Sequence, residues 1–138
     1  MTSETTDNIS REMALRMVRE AERAFGAADI TAILDIFTDD VVIRFADIPE
    51  IRGKVDAERF LRARFARQRN YKLSKSLRMV ESDRIGNLWD GEWDDAQTGQ
   101  KMRGRGIEFW TVRDGKIALW EAVFNVWRDG EAPVSSIL

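Results

Sequence analysis

The chain has 138 residues, with 22 lysines and arginines against 24 aspartates and glutamates, and its formal net charge is −2. This length suits one domain, which buries roughly two thirds of the surface that the unfolded chain exposes. The near balance of charge gives no electrostatic reason to expect a nucleic acid or an acidic membrane as a partner.

The sequence contains no histidine and no cysteine. Disulfides, thiolate nucleophiles and imidazole bases are therefore excluded, and zinc sites of the usual type have no ligands. We expect no cofactor and no metal. Any acid–base chemistry must be carried by Asp, Glu, Lys, Arg or the single tyrosine, Tyr71.

The first eight residues are polar and acidic, and they lack the basic and apolar regions of a signal peptide. No apolar run approaches the length that crosses a membrane. We expect a cytoplasmic protein with no membrane partner, built as a single domain over 1–138 with loose tails at 1–8 and 129–138.

The first half of the chain predicts helices. An i, i+4 stripe predicts an amphipathic helix over 9–26 and is formed by Ile9, Met13, Met17, Ala21 and Phe25. Asp29 is the expected N-cap of a shorter helix that reaches Phe37, and Asp56 is the expected cap of a third helix that ends at Arg69. Between them, 41–45 is a predicted strand and 46–54 a predicted loop.

Four long strands are predicted in the second half, over Tyr71–Ser82, Arg84–Asp95, Lys101–Val112 and Lys116–Trp127. Turn residues separate them, and Asp114-Gly115 is typical of a tight β-hairpin. Helices followed by a run of strands indicate an α+β fold, with a mainly antiparallel sheet and the helices on one of its faces.

The hairpin over 103–127 contains the most informative alternation. A period of two brings a carboxylate beside an indole and two positions without side-chain bulk, Gly104, Gly106, Glu108 and Trp110. The facing strand presents Trp120, Ala122, Phe124 and Val126. This pattern indicates a lined hollow more than a close-packed core.

Three features of the sequence leave alternatives open. Glu108 is either a pocket residue or a buried carboxylate satisfied by the backbone or an arginine, and the tryptophans either line a pocket or only fill the core. Asn87 is either a hydrogen-bonding group at the pocket floor or a solvent-facing residue. The basic run favours a solvated helix surface over a nucleic-acid site and comprises Arg59, Arg62, Arg64, Arg67 and Arg69.

The order of the predicted elements and three motifs resemble the nuclear transport factor 2-like superfamily. The motifs are the stretch over 26–41, Ile51-Arg-Gly-Lys and Val112-Arg-Asp-Gly-Lys-Ile. Within it, Gly106-Ile-Glu-Phe-Trp110 is similar to a pattern of the SnoaL-like proteins. The resemblance implies a cone-shaped, strongly bent sheet with helices on its concave face and a pocket between them.

The resemblance also limits the chemistry. In ketosteroid isomerases a protonated Asp in an apolar site donates a hydrogen bond to the substrate oxyanion, and the resemblance places Glu108 at the corresponding position. The catalytic tyrosine and base of those enzymes would fall near Ala21 and Phe45, where neither is kept. The His–Asp pair of related polyketide cyclases cannot exist here, and an aspartate of limonene epoxide hydrolases would fall near Ala122, where it is missing.

The resulting hypothesis is a SnoaL-like pocket protein that binds a small apolar metabolite with a carbonyl or ring oxygen near Glu108. The protein would also transform this metabolite by proton transfer, cyclisation, dehydration or hydration. Glu108 is the expected catalytic residue, neutral because no cation is evident beside it. The expected substrate-binding residues are Trp89, Trp93, Trp110, Trp120, Phe124, Asn87, Phe45 and Leu61. The alternatives are a non-catalytic binding protein and a dimeric interaction module of the same fold.

The opposite face of the predicted sheet is amphipathic. Its acidic residues Asp90 and Glu92 are expected to pair with Arg103 and Arg105 on the next strand. Its apolar residues are Leu88, Ile107, Phe109, Leu119 and Val123. A sheet surface this apolar is normally covered, so we expect a homodimer through it.

Overall fold

The computed structural model describes residues 8–133, which form an α+β fold. The parts of the expected tails at 1–7 and 134–138 lie outside the described residues. The elements in chain order are α1 (Arg11–Gly26), α2 (Ile30–Ile36), β1 (Phe37–Phe45), β2 (Ile51–Arg52), α3 (Lys54–Arg67), β3 (Gln68–Glu81), β4 (Arg84–Asp95), β5 (Lys101–Arg113) and β6 (Lys116–Arg128).

The strands form one six-stranded sheet in the order β2-β1-β6-β5-β4-β3, which is curled and does not close. Every neighbouring pair is antiparallel except β1 and β6, which run parallel with Ile43 beside Trp120. The sequence predicted the mainly antiparallel sheet correctly. The parallel pair was not predicted, because it joins segments far apart in the chain.

Helix α1 covers the inner face of the sheet and packs mainly on β3. Ser10 caps it by accepting a hydrogen bond from the Met13 N–H at 3.0 Å. Its most deeply buried face passes through Ala14, Val18 and Ala21, while Met13 is only partly buried. Of the predicted stripe, Ile9, Ala21 and Phe25 are buried and the two methionines are partly buried, so the stripe lies largely on the buried face.

Several boundaries differ from the predictions. Asp29 does cap α2 by accepting from the Ala32 N–H at 3.1 Å, but the helix ends at Ile36 and Phe37 begins β1. The predicted loop contains the two-residue strand β2. Helix α3 begins after Gly53, whose φ of 84° allows the sharp turn into the helix, and Asp56 lies in its first turn.

The hydrophobic core lies between the helices and the inner sheet face. It includes Ile33, Ile43, Leu61 and Ile85, which have no exposed surface. None of the described helices is both long enough and apolar enough to span a membrane. Part of the space between the sheet and helices α1 and α3 is not filled by side chains.

Candidate functional site

A cavity of about 160 Å³ lies between the helices and the inner sheet face. Its walls are largely aromatic because β4 and β6 turn their alternate residues inward and α1 and α3 add two phenylalanines. The aromatic lining residues are Phe25, Phe45, Phe60, Tyr71, Trp89, Trp93, Trp120 and Phe124.

Glu108 lies in the cavity wall on β5 and is 1% exposed. Its Oε1 accepts a hydrogen bond from Trp120 Nε1 at 3.0 Å. Its Oε2 accepts from Asn87 Nδ2 at 3.0 Å and from Lys75 Nζ at 2.6 Å. The sheet register explains this convergence, because Glu108 pairs with Asn87 on β4 and with Ala122 on β6.

The expectation that no cation faces Glu108 is wrong. The ammonium group of Lys75 forms a buried ion pair with it, and the side chain of Lys75 is only 4% exposed. The sequence contained a signal for this residue, since alternation along β3 puts Lys75 on the same face as Tyr71 and Leu73. A lysine that interrupts an inward apolar row is a candidate partner for a buried acid.

Burial lowers the pKa of Lys75, and the charge and hydrogen bond of Glu108 oppose this shift. The ammonium also lies 5.6 Å from the ring centroid of Trp110 and 5.9 Å from that of Phe25. An ammonium group has three donors, and Glu108 is its one side-chain acceptor among the described residues. Lys75 lines the cavity, so it can donate a further hydrogen bond to a ligand there.

The expected hollow above the two glycines of β5 is filled. A Cβ atom on Gly106 would lie 2.6 Å from the Val123 carbonyl oxygen and 2.9 Å from Trp89 Nε1. A Cβ atom on Gly104 would lie 3.1 Å from the Trp93 indole. The glycines therefore admit indole rings against the sheet, and the cavity lies beyond those rings.

Five of the expected substrate-binding residues line the cavity and three do not. Those that line the cavity with Glu108 are Trp89, Trp93, Trp120, Phe124 and Phe45. Asn87 lies behind Glu108 and supports it, with its Oδ1 atom buried and without a hydrogen-bond partner. Leu61 belongs to the core. Trp110 contacts a separate small void that Lys75 also touches.

The two aromatic residues of β6 that line the cavity have different ring neighbours. Trp120 does contact the helix layer, with its ring centroid 5.5 Å from that of Phe25. Phe124 instead packs on Phe45 and Trp89, each at 5.6 Å between centroids. The contact with Trp89 follows from the sheet register, because Gly106 of β5 pairs with Trp89 on one side and with Phe124 on the other.

Arg64 also lines the cavity and corrects the interpretation of the basic run as wholly solvated. It is half-buried, and its guanidinium donates to Gln68 Oε1 at 2.9 Å and to the Tyr71 hydroxyl at 3.1 Å. Burial raises the pKa of Tyr71, which keeps this phenol neutral. The spacing of four residues from Phe60 is the sequence signal that Arg64 shares the inward side of α3.

The outer sheet face carries the expected ion pairs. Arg105 Nε lies 2.8 Å from Asp90 Oδ1, and Arg103 Nη2 lies 3.6 Å from Glu92 Oε2. Within residues 8–133 no three acidic side chains converge in a way that could hold a metal ion. The charged side chains that line the cavity are Asp47, Arg64, Lys75 and Glu108.

Solved structures with the same fold are numerous. A protein from Xanthomonas campestris pv. campestris, provisionally described as a polyketide cyclase, has a TM-score of 0.76 and 22% identity over 83% of this chain and 92% of its own. A provisionally described isomerase from Bacillus subtilis has a TM-score of 0.74 and 17% identity over 83% and 87%. SalBIII, an epoxide hydrolase/cyclase-like enzyme of pyran ring formation in salinomycin, has a TM-score of 0.74 and 14% identity over 86% and 98%.

These similarities establish the nuclear transport factor 2-like cone fold that the sequence motifs implied. No curated protein sequence matches the chain at a significant level. The profile of the SnoaL-like domain matches residues 18–120, which include the second half of α1, the whole of α3 and the Lys75–Glu108 pair. This match extends over most of the described chain, and the protein belongs to the SnoaL-like domain family.

Proposed function

We propose that the protein binds a small apolar molecule in the aromatic cavity and catalyses proton transfer next to a carbonyl or ring oxygen. The observation that carries this proposal is the 2.6 Å contact between Lys75 Nζ and Glu108 Oε2 in the wall of that cavity. A paired acid and base in a water-poor site is the arrangement that enolisation and related steps require.

In the proposed step, Glu108 removes a proton from the carbon beside the carbonyl group while Lys75 donates a proton to the carbonyl oxygen. The C–H bond breaks as an O–H bond forms on Glu108, an N–H bond of Lys75 breaks as an O–H bond forms on the carbonyl oxygen, and the product is the neutral enol. Trp120 and Asn87 hold the carboxylate in place through their hydrogen bonds of 3.0 Å each. Where the enol is conjugated with a second double bond, return of the proton to the far carbon would give isomerisation.

The cavity volume restricts the ligand to a small body. At about 160 Å³ it is close to the size of an engineered apolar cavity of about 150 Å³ that binds benzene. One six-membered ring or a short branched chain would fill it. Cyclohexanone is therefore a suitable first probe, because it combines one ring with one carbonyl oxygen.

The test is exchange of the α-protons of cyclohexanone for deuterium in D₂O, followed by proton NMR. The wild-type protein should accelerate exchange, and Glu108→Gln should reduce that acceleration by about 10²-fold or more. Glu92→Gln makes the same chemical change on the outer sheet face and should leave the rate unchanged. Equal exchange rates in wild type and Glu108→Gln would exclude Glu108 as the base.

A second candidate is a non-catalytic binding protein with the same ligand class. It is favoured by the hydrogen bonds that Glu108 accepts from Lys75, Asn87 and Trp120, which are typical of a satisfied structural ion pair. The two candidates differ in one measurement. Quenching of tryptophan fluorescence by cyclohexanone, with deuterium exchange no faster than in the absence of protein, would support binding alone.

We also propose a homodimer that forms through the outer face of the sheet. The exposed fractions of Ile107, Phe109 and Val123 are 49%, 45% and 58%, and these side chains lie on neighbouring strands. Leu88 and Leu119 extend the apolar surface around them. Burial of this surface against a second copy would remove it from water, and the acidic and basic pairs at its edge would form a polar rim.

A further inference from the structure

The four arginines of α3 differ in their partners. Three of them pair with carboxylates: Arg59 with Asp56, Arg62 with Glu58 and Arg67 with Asp95, at distances of 3.0 to 3.2 Å. Arg64 is the fourth. Its hydrogen-bond and ring contacts among the described residues are with neutral groups only, and it is the arginine that lines the cavity.

The neutral contacts hold the Arg64 guanidinium in one orientation. Gln68 and the Tyr71 hydroxyl accept from it, and its Cζ atom lies 5.3 Å from the Tyr71 ring centroid and 5.5 Å from the Phe25 ring centroid. A guanidinium group has five N–H donors, so these two hydrogen bonds leave donors for another group. Rigid, partly unused donors at a cavity wall are suited to a planar anion.

The charges of the cavity lining also distinguish Arg64 from the other charged residues. Its charged residues are Asp47, Arg64, Lys75 and Glu108. Lys75 and Glu108 neutralise each other within their ion pair, and Asp47 is exposed. Arg64 is therefore the partly buried charge of the cavity that no carboxylate of the described residues compensates.

We propose that Arg64 binds a carboxylate group at one end of the otherwise apolar ligand, so that the substrate class is a small oxo acid. This inference rests on the proposed function, because it takes the carbonyl oxygen of the ligand to lie at Lys75 and Glu108. The acid would then have its ring or short chain between the aromatic walls, its carbonyl at the ion pair and its carboxylate at Arg64. Arg64 and Lys75 both approach the Phe25 ring, so one small molecule can contact both cations.

The test compares 4-oxocyclohexanecarboxylate with its neutral isostere, 4-oxocyclohexanecarboxamide, by quenching of tryptophan fluorescence. The wild-type protein should bind the carboxylate at least about tenfold more tightly, since a charge-assisted contact is absent from the amide. Arg64→Met should remove this preference while keeping its affinity for the amide. Arg62→Met is the matched control, because Arg62 lies on the same helix but pairs with Glu58 and does not line the cavity. It should keep the preference.

Equal affinity of the wild-type protein for the two probes would overturn the carboxylate proposal, whatever the folding of the variants. Retention of the preference in Arg64→Met would overturn it too. In either case binding of the amide or of cyclohexanone would leave the proposed function standing. If the wild-type protein binds none of the three probes, both the proposed function and the inference fail.

Discussion

Lys75 and Glu108 illustrate how one ion pair can be both costly and necessary. Each charge loses its hydration on burial, and this desolvation is the main cause of the lowered pKa of Lys75. The hydrogen bonds from Trp120 and Asn87 offset part of the cost for the carboxylate. Such a pair contributes little net stability, but removal of one partner leaves the other charge buried and uncompensated.

We therefore expect Lys75→Met to destabilise the fold by about 3–5 kcal/mol, because Glu108 loses its cation. The double variant Lys75→Met/Glu108→Gln should be clearly more stable than the single variant, since it carries no uncompensated charge. Urea unfolding followed by circular dichroism measures both. The single variant Glu108→Gln completes the comparison. If the losses of stability in the two single variants add up to the loss in the double variant, the two side chains do not interact.

Gly106 of β5 lies between β4 and β6, and among the described glycines it is the one whose would-be Cβ atom comes closest to neighbouring atoms. The neighbouring strand supplies Phe124, whose Cβ would be 2.6 Å from an added Cβ, as would the Val123 carbonyl oxygen. Backbone atoms cannot move aside as a flexible side chain can. The packing of the Trp89 indole on this part of β5 thus depends on the absence of one methyl group.

Gly106→Ala should destabilise the protein by about 1–3 kcal/mol through overpacking, although alanine is otherwise favoured over glycine in a strand. Gly99→Ala is unsuitable as a control because Gly99 has a positive φ of 71°. Gly26→Ala is suitable, because no atom lies within 4 Å of its would-be Cβ. Thermal unfolding should show a lower midpoint for Gly106→Ala alone, and an unchanged midpoint would mean that β5 and β6 separate easily.

A polar contact joins the end of α3 to the end of β4. Arg67 donates to Asp95 at 3.1 Å, and Asp95 also accepts from the Gln97 N–H at 3.1 Å and from Thr98 at 3.0 Å. The hydrogen bond from Arg67 is the largest cause of the lowered pKa of Asp95. The folded carboxyl group thus loses its charge at a lower pH than the unfolded one.

Because the folded pKa of Asp95 lies below its unfolded value of about 3.9, the stability it contributes is present above that value and is lost as the pH falls through the folded pKa. Asp95→Asn should be less stable than wild type at pH 7. Below about pH 4 the difference between the two proteins should shrink. Urea unfolding at a series of pH values measures this, and a constant difference down to pH 2 would contradict the assignment.

For the whole molecule, the sequence predicted the four long strands to within a few residues because each combines alternation with clear turn residues. It also placed Glu108, Trp89 and Trp93 on one face. It did not predict that Lys75 is the ion-pair partner of Glu108, because register and curl decide which side chains of different strands meet. Lys75 is 33 positions from Glu108, and only the pairing of β3, β4 and β5 brings them together.

The proposed dimer should be disrupted by a charge on the outer sheet face. Val123→Lys should convert the wild-type dimer into a monomer near 15.9 kDa in sedimentation equilibrium at tens of micromolar, because a buried, unpaired lysine opposes association. Val55→Lys is the matched control, since Val55 is 76% exposed on α3 and lies on a different element. A wild-type protein that is already monomeric at this concentration would contradict the proposed dimer.

The parallel pairing of β1 with β6 also has a consequence for folding kinetics. It joins residues such as Ile43 and Trp120, so the two ends of a long segment must come together before this part of the sheet gains its contacts. During synthesis, β1 leaves the ribosome long before its β6 neighbour exists. The nascent chain must therefore hold the apolar side of β1 without its final partner, and the cavity is completed only after β6 has been made.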